Sequence, residues 1–199
     1  MRKSNYGLGE TIKNGYFLLK TKLFFGKSRL IRFPIVVRGK KYMDFAEGLT
    51  TGYNCRLEVN GVFDKGSKPL KFGYNVNIGD NVRISCCESV KIGSNVLMGS
   101  RVLIIDNSHG FYGNDCENSS PQIPPNERKL FCSPVVIGDN VWLGEGCIIQ
   151  QGVTIGSGSI IAANSVVTHN VPENSIFGGV PARMLKRYDE ESNKWIKVQ

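Results

Sequence analysis

The sequence predicts an all-β chain wound as a β-solenoid, and three observations predict it. From Ile137 the chain falls into six-residue blocks: IGDNVW, LGEGCI, IQQGVT, IGSGSI, IAANSV and VTHNVP. Each opens on an aliphatic residue, in turn Ile137, Leu143, Ile149, Ile155, Ile161 and Val167. A small residue follows at Gly138, Gly144, Gly156 and Ala162, and the fifth place is small or β-branched: Val141, Cys147, Val153, Ser159, Ser165, Val171. The same frame recurs upstream, opening at Phe72, Ile78, Ile84, Ile92, Met98 and Ile104, with two extra residues between Ile84 and Ile92. A period of six matches neither a helix nor a plain strand. It describes short strands separated by corners, with the aliphatic residue inward and the glycine where a side chain would block the turn. Each coil then buries its apolar row by stacking on the next. A β-sandwich also has evenly spaced strands, but it does not repeat glycine every six residues.

The 199-residue length suits one domain with a core and extensions. A net charge of +8 favours acidic partners: phosphate-bearing cofactors, nucleic acid or an anionic membrane surface. The first residues hold no apolar run of signal length, and YFLLKTKLFF is cut by Lys20 and Lys22, so it does not span a bilayer. A cytoplasmic protein is expected. Six cysteines (Cys55, Cys86, Cys87, Cys116, Cys132, Cys147) include no CxxC pair, which counts against zinc. In a reducing compartment they read as buried or incidental thiols, although Cys116 and Cys132 flank one loop.

Residues 1–33 form a basic amphipathic N-terminal extension. Tyr16, Phe17, Leu19, Leu23 and Phe24 fall near helical spacing among Lys13, Lys20, Lys22 and Lys27. This helix either caps the first coil or rests on a membrane face. Residues 34–188 hold the solenoid, with irregular opening coils to about Asn60 and a turn-rich connector over 61–70. A polar, proline-containing loop interrupts the frame over 106–133; a loop this long inside a repeat is usually functional or disordered. Pro172 ends the last coil, and the charged tail 189–199 is read as a short helix.

Coils alone do no chemistry. His109 opens the long loop, and an imidazole titrates near neutrality, which suits general acid–base work. With two histidines in the chain a three-histidine metal site is not expected. Arg183, Lys186 and Arg187 follow GGVPA, as a phosphate clamp or as a solvated end. The chain has no GxxxxGK[ST], no GxSxG and no aromatic interleaving for stacking bases, so a P-loop, a serine hydrolase and nucleic-acid binding lack support.

IGDNVWLGEGCIIQQGVTIGSGSIIAANSVVT, followed by VPENSIFGGVPARMLKR, closely resembles the hexapeptide-repeat acyltransferases, in the branch of galactoside and maltose acetyltransferases. LLKTKLFF, IRFP, LTTGYNCRLEV, DNSHG and SSPQIPP resemble the sugar O-acetyltransferases of bacterial lipopolysaccharide O-antigen and capsule synthesis. The resemblance implies a left-handed parallel β-helix and a homotrimer with active sites between subunits. It implies acetyl transfer from acetyl-CoA, without a metal, to a sugar hydroxyl, with His109 as general base. Trp142 and Ala163 match positions lining the pantetheine arm, and Glu145 stands on the same groove. Thr168 matches a cofactor contact, His169 replaces a frequent lysine, and Arg183 and Lys186 match the basic pair near the CoA phosphates. Ser85 lies roughly where the acceptor touches the active-site wall. An amine or xenobiotic acceptor, or a non-enzymatic scaffold, would keep the fold and change the function.

Overall fold

The computed structural model describes residues 7–113 and 118–198. Three parallel sheets make the walls of a prism. The first has six strands: Ile35–Arg38, Cys55–Val59, Arg83–Cys86, Leu103–Ile105, Ile148–Ile149 and Val166–Val167. The second has five, among them Val90–Ile92, Val135–Ile137 and Thr154–Ile155. The third runs from Thr50–Thr51 through Leu97–Met98, Trp142–Leu143 and Ile160–Ile161 into a C-terminal antiparallel extension. The chain passes from second to third to first sheet, turning a corner each time. Every parallel pairing joins successive coils, as in Leu103 opposite Ile148 and Trp142 opposite Ile160.

The six-residue frame is the core. All twelve block openers are buried, none more than 4% exposed. The fifth-place residues, from Val141 to Val171, are buried as well. The corner glycines answer to close approach: a Cβ at Gly144 would stand 2.5 Å from the amide nitrogen of Ala163 on the next coil. Corner asparagines take the left-handed conformation. Asn75, Asn95 and Asn140 stack as a ladder, each Nδ2 donating to the next Oδ1 at 3.3 Å. Asparagine suits that place because its short polar side chain tolerates positive φ.

The N-terminal helix spans Leu8–Phe24. It docks through Phe17 and Thr21, both buried. The Phe17 ring packs on Phe33 and Tyr53, and the Thr21 hydroxyl accepts from the Ile31 amide at 2.8 Å. The helix therefore does close the first coil. Its opposite face carries Leu8, Ile12, Tyr16, Leu19 and Leu23, all exposed. No described helix is long and apolar enough to cross a membrane.

Two expectations fail. The C-terminal tail is not helical: Lys194–Lys197 is a strand paired antiparallel with Ala182–Asp189. Asn193, at φ 53°, makes the turn, and Tyr188 packs edge-on against Trp195 across it. The cysteines are not all free: Cys87 and Cys132 form a disulfide, while Cys55, Cys86 and Cys147 are buried thiols. Cys116 lies outside the described residues.

Candidate active site

The site begins where the six-residue frame breaks. The two extra residues after Ile84 let the backbone bend at Cys87 and Glu88. The N–H groups of Cys87, Glu88 and Ser89 then converge on the Asp106 carboxylate, at 2.6, 2.8 and 2.9 Å. Asp106 is completely buried, and these donors are the partners a buried charge requires. It follows the strand Leu103–Ile105, so the coil ends and the loop begins on a fixed point.

From there Asn107–His109 pairs antiparallel with Leu130–Cys132, His109 opposite Leu130. The disulfide ties the returning strand to Cys87, and the Ser133 amide donates to the Asp106 carbonyl at 2.8 Å. The Tyr112 hydroxyl donates to the His109 carbonyl and accepts from Arg128 Nη1 at 2.7 Å. Gln151 Nε2 reaches Ser108 Oγ at 3.3 Å, joining the hairpin to the corner beneath it. The backbone of His109 is thus held from both sides. Its imidazole is exposed, and among the described residues no side chain pairs with it.

The remaining predicted residues fall into two groups. Thr168 and His169 occupy the corner from first to second sheet, the one the loop leaves from; Thr168 Oγ1 and His169 Nδ1 are 2.7 Å apart. Trp142, Glu145 and Ala163 gather on the third sheet and its corner with the first. Trp142 is half exposed in an outward row with Leu97 and Ile160. Glu145 pairs with Arg101 at 2.5 Å, and its carbonyl accepts from the Asn164 amide beside Ala163. Arg183 stands opposite Gly178, which packs over Ala162, so the exit hairpin brings Arg183 to this second corner. Lys186 is exposed further along the same strand. Ser85 is buried, and its hydroxyl accepts from Asn107 Nδ2 at 3.4 Å. One chain therefore holds the His109 loop at one edge of the prism and the Trp142–Ala163–Arg183 group at another.

Residues 134–169 match the family model for the bacterial transferase hexapeptide (six repeats). The chain is 41% identical over 193 residues to WbbJ of Escherichia coli K12, a candidate lipopolysaccharide biosynthesis O-acetyl transferase, covering 97% of this chain and 96% of that one. The chain belongs to the hexapeptide-repeat acyltransferases. The galactoside O-acetyltransferase of Escherichia coli K12 is 31% identical over 146 residues, covering 73% of this chain and 67% of the relative. A crystal structure of the N-acyltransferase AntD from Bacillus cereus, in complex with dTDP-4-amino-4,6-dideoxyglucose and coenzyme A, superposes with a TM-score of 0.65. It is 18% identical and covers 87% of this chain and 89% of AntD, so the likeness is one of fold. The fold is the left-handed parallel β-helix of hexapeptide-repeat acyltransferases.

Nothing in the side-chain pattern of the sequence marks Asp106, Gln151 or the Cys87–Cys132 pair, which support the hairpin carrying His109. The two-residue frame break was the one signal available. An insertion into a strict repeat has to go somewhere, and here it makes the cradle for Asp106.

Proposed function

We propose that this chain moves the acetyl group of acetyl-CoA to a hydroxyl of a sugar in a surface-polysaccharide precursor. The observation that carries the reading is the 41% identity to WbbJ along nearly the whole chain. In the proposed reaction the His109 imidazole takes the proton of the acceptor hydroxyl. The oxygen attacks the thioester carbonyl, and backbone N–H groups stabilise the tetrahedral oxyanion. The C–S bond then breaks, and the imidazolium returns its proton to the departing CoA sulfur. No covalent enzyme intermediate is involved.

The donor side is proposed at Trp142, Glu145, Ala163, Thr168, His169, Arg183 and Lys186. The apolar outward row around Trp142 suits a pantetheine arm, the small Ala163 leaves room at the corner, and Arg183 and Lys186 suit the CoA phosphates. Ser85 serves the acceptor wall through its bond to Asn107. Because the His109 edge and the Trp142 edge are separate on one chain, a complete site is proposed between neighbouring copies of a homotrimer. The chain is proposed to act in the cytoplasm, peripheral to the inner face of the membrane. The exposed stripe Leu8–Ile12–Tyr16–Leu19–Leu23, flanked by Lys13, Lys20 and Lys22, suits an anionic bilayer.

The test is acetyl transfer to a panel of sugars by the parent and by His109→Ala. A loss of roughly 10²–10⁴-fold in kcat is expected. Equal turnover would remove His109 from the mechanism. Sedimentation giving a monomer would remove the shared site.

A further inference from the structure

On the outward side of the first sheet, four charged side chains meet at one point. Glu58 is buried, its side chain 1% exposed, and three arginines surround it. Arg38 Nη1 lies 3.0 Å from Oε1; Arg56 Nε lies 2.7 Å from Oε2; Arg83 Nη2 lies 3.2 Å from Oε2. Arg56 also donates through Nη2 to Oε1 at 2.8 Å. The register enforces this meeting. Arg38 is opposite Glu58, Arg56 is opposite Arg83, and these strands are neighbours.

Satisfying Glu58 does not require three arginines, because one well-placed guanidinium would pair its carboxylate. Here three positive charges face one negative charge, leaving two in excess on a single patch. Each guanidinium carries five N–H donors, and Glu58 takes one or two from each. Among the described residues no second acceptor serves them. Glu58 therefore acts as a pin: it holds three guanidiniums together against their mutual repulsion while their remaining donors face outward.

The patch belongs to the same stretch of surface as His109. Ser85 is the register partner of Glu58 and lies two residues after Arg83. Its hydroxyl is bound by Asn107, which shares one side of its strand with His109 because side chains alternate along a strand. Two strand spacings across the sheet, from Glu58 to Ser85 to Ile105, and four residues along the chain, from Ile105 to His109, separate the Glu58 rung from His109, up to about 16 Å.

Resting on the sugar acyl-transfer reading above, we propose that Arg38, Arg56 and Arg83 bind the diphosphate of a glycosyl diphosphate acceptor. Its sugar then extends along the face toward the His109 imidazole. Excess guanidinium charge selects a multiply charged oxyanion over a neutral saccharide, and the planar forks suit phosphate oxygens. The same diphosphate occurs in nucleotide-linked and in prenyl-linked sugars.

The experiment has a binding arm and a transfer arm. The full chain is titrated calorimetrically with inorganic pyrophosphate, alongside Arg38→Gln and Arg83→Gln, each of which leaves two arginines on Glu58. Arg83→Lys is included because it keeps the charge and loses the fork, and thermal melts report folding. Saturable binding is expected, weakened at least tenfold in each Gln variant. In the transfer arm the KM for a diphosphate-bearing acceptor rises at least tenfold, while the KM for acetyl-CoA and turnover of free sugars hold. Nucleoside-diphosphate sugars and prenyl-diphosphate sugars, tested separately, tell the two sources apart. Pyrophosphate binding that is absent from the parent, or equal in folded Gln variants, overturns the proposal. So does a matching rise in the KM for acetyl-CoA, which would assign the patch to the donor. If the parent acetylates no sugar at all, the sugar reading fails, and the pyrophosphate titration alone decides whether the anion site exists.

Discussion

Replacing Asp106 by alanine tests the claim that this carboxylate anchors the His109 loop. The side chain is fully buried and accepts from three backbone amides and from Asn107 Nδ2 at 2.9 Å. Removing it strands three donors, each costing about 1–3 kcal/mol if left dry. Glu88 is exposed, and Cys87 and Ser89 are partly so. Water therefore reaches this bend, and the lower end applies: about 3 kcal/mol. For a chain of this size that corresponds to a fall in Tm of about 6–12 °C. The catalytic loss should be larger in proportion, because the coil and the loop separate at this point. A shift of His109 by about 1 Å can cost 10²-fold in rate. Calorimetry gives the first number, steady-state acetyl transfer the second, and limited proteolysis between residues 107 and 131 reports release of the loop. The disulfide supplies a second tie, so the variant is measured with and without reductant; the defect should deepen when Cys87 and Cys132 are reduced. A variant that melts within about 2 °C of the parent, turns over at its rate and resists protease would refute the anchor.

Gly144→Val puts a Cβ 2.5 Å from the Ala163 nitrogen and 2.7 Å from the Ile161 carbonyl oxygen, both backbone atoms. A loss of at least about 1–3 kcal/mol in denaturant unfolding is expected, and an unchanged midpoint would contradict the corner geometry. Burial pushes the Cys55 thiol up to about 11 and the Cys86 and Cys147 thiols up to about 12. At pH 8 these three should resist alkylation in the folded chain and react on unfolding, as read by mass spectrometry. The Arg56 side-chain hydrogen bond, against an opposing contribution from burial, holds the Glu58 carboxyl below its ordinary value. A lowered folded-state value means stability present above the unfolded carboxylate range, near 4.3, and lost as pH falls through the folded value. The Tm gap between parent and Glu58→Gln should therefore close in acid. A gap that does not narrow as pH falls below the ordinary carboxylate range would show that Glu58 acts through packing and not through charge.

The prism was legible because its cause is local and repeated. An opener such as Ile149 has to be apolar and Gly144 has to be small for reasons set by the coil itself, so the pattern survives in one dimension. The two errors came where the cause was not periodic. The tail after Tyr188 looked helical because its charges dominate; its strand pairing depends on Asn193 taking positive φ and on Trp195 reaching Tyr188. The pairing of Cys132 with Cys87 spans 45 residues of sequence and follows from the frame break, not from any spacing of cysteines. His109 could be singled out as chemistry, whereas its support could not. Asp106 is held by backbone amides, and backbone donors leave no mark in the side-chain pattern.

The arginine patch shows what closing the coil adds to such a pattern. Arg38 and Arg56 are eighteen residues apart, two short of the twenty-residue turn made here, so Arg38 stands over Glu58, two places along from Arg56. Arg83 is a further twenty-seven away, one turn plus the connector that follows Gly61. In sequence these are three unremarkable basic residues in different contexts. Stacked one coil above another, they share a face with one carboxylate and cannot avoid each other's field. A solenoid converts spacing into adjacency at a fixed step of about 5 Å. A surface needing several like charges at one place can therefore be built by altering the outward residue of successive coils, while the inward aliphatic rows stay as they are. That separation lets one core carry the Trp142 edge, the arginine face and the His109 loop.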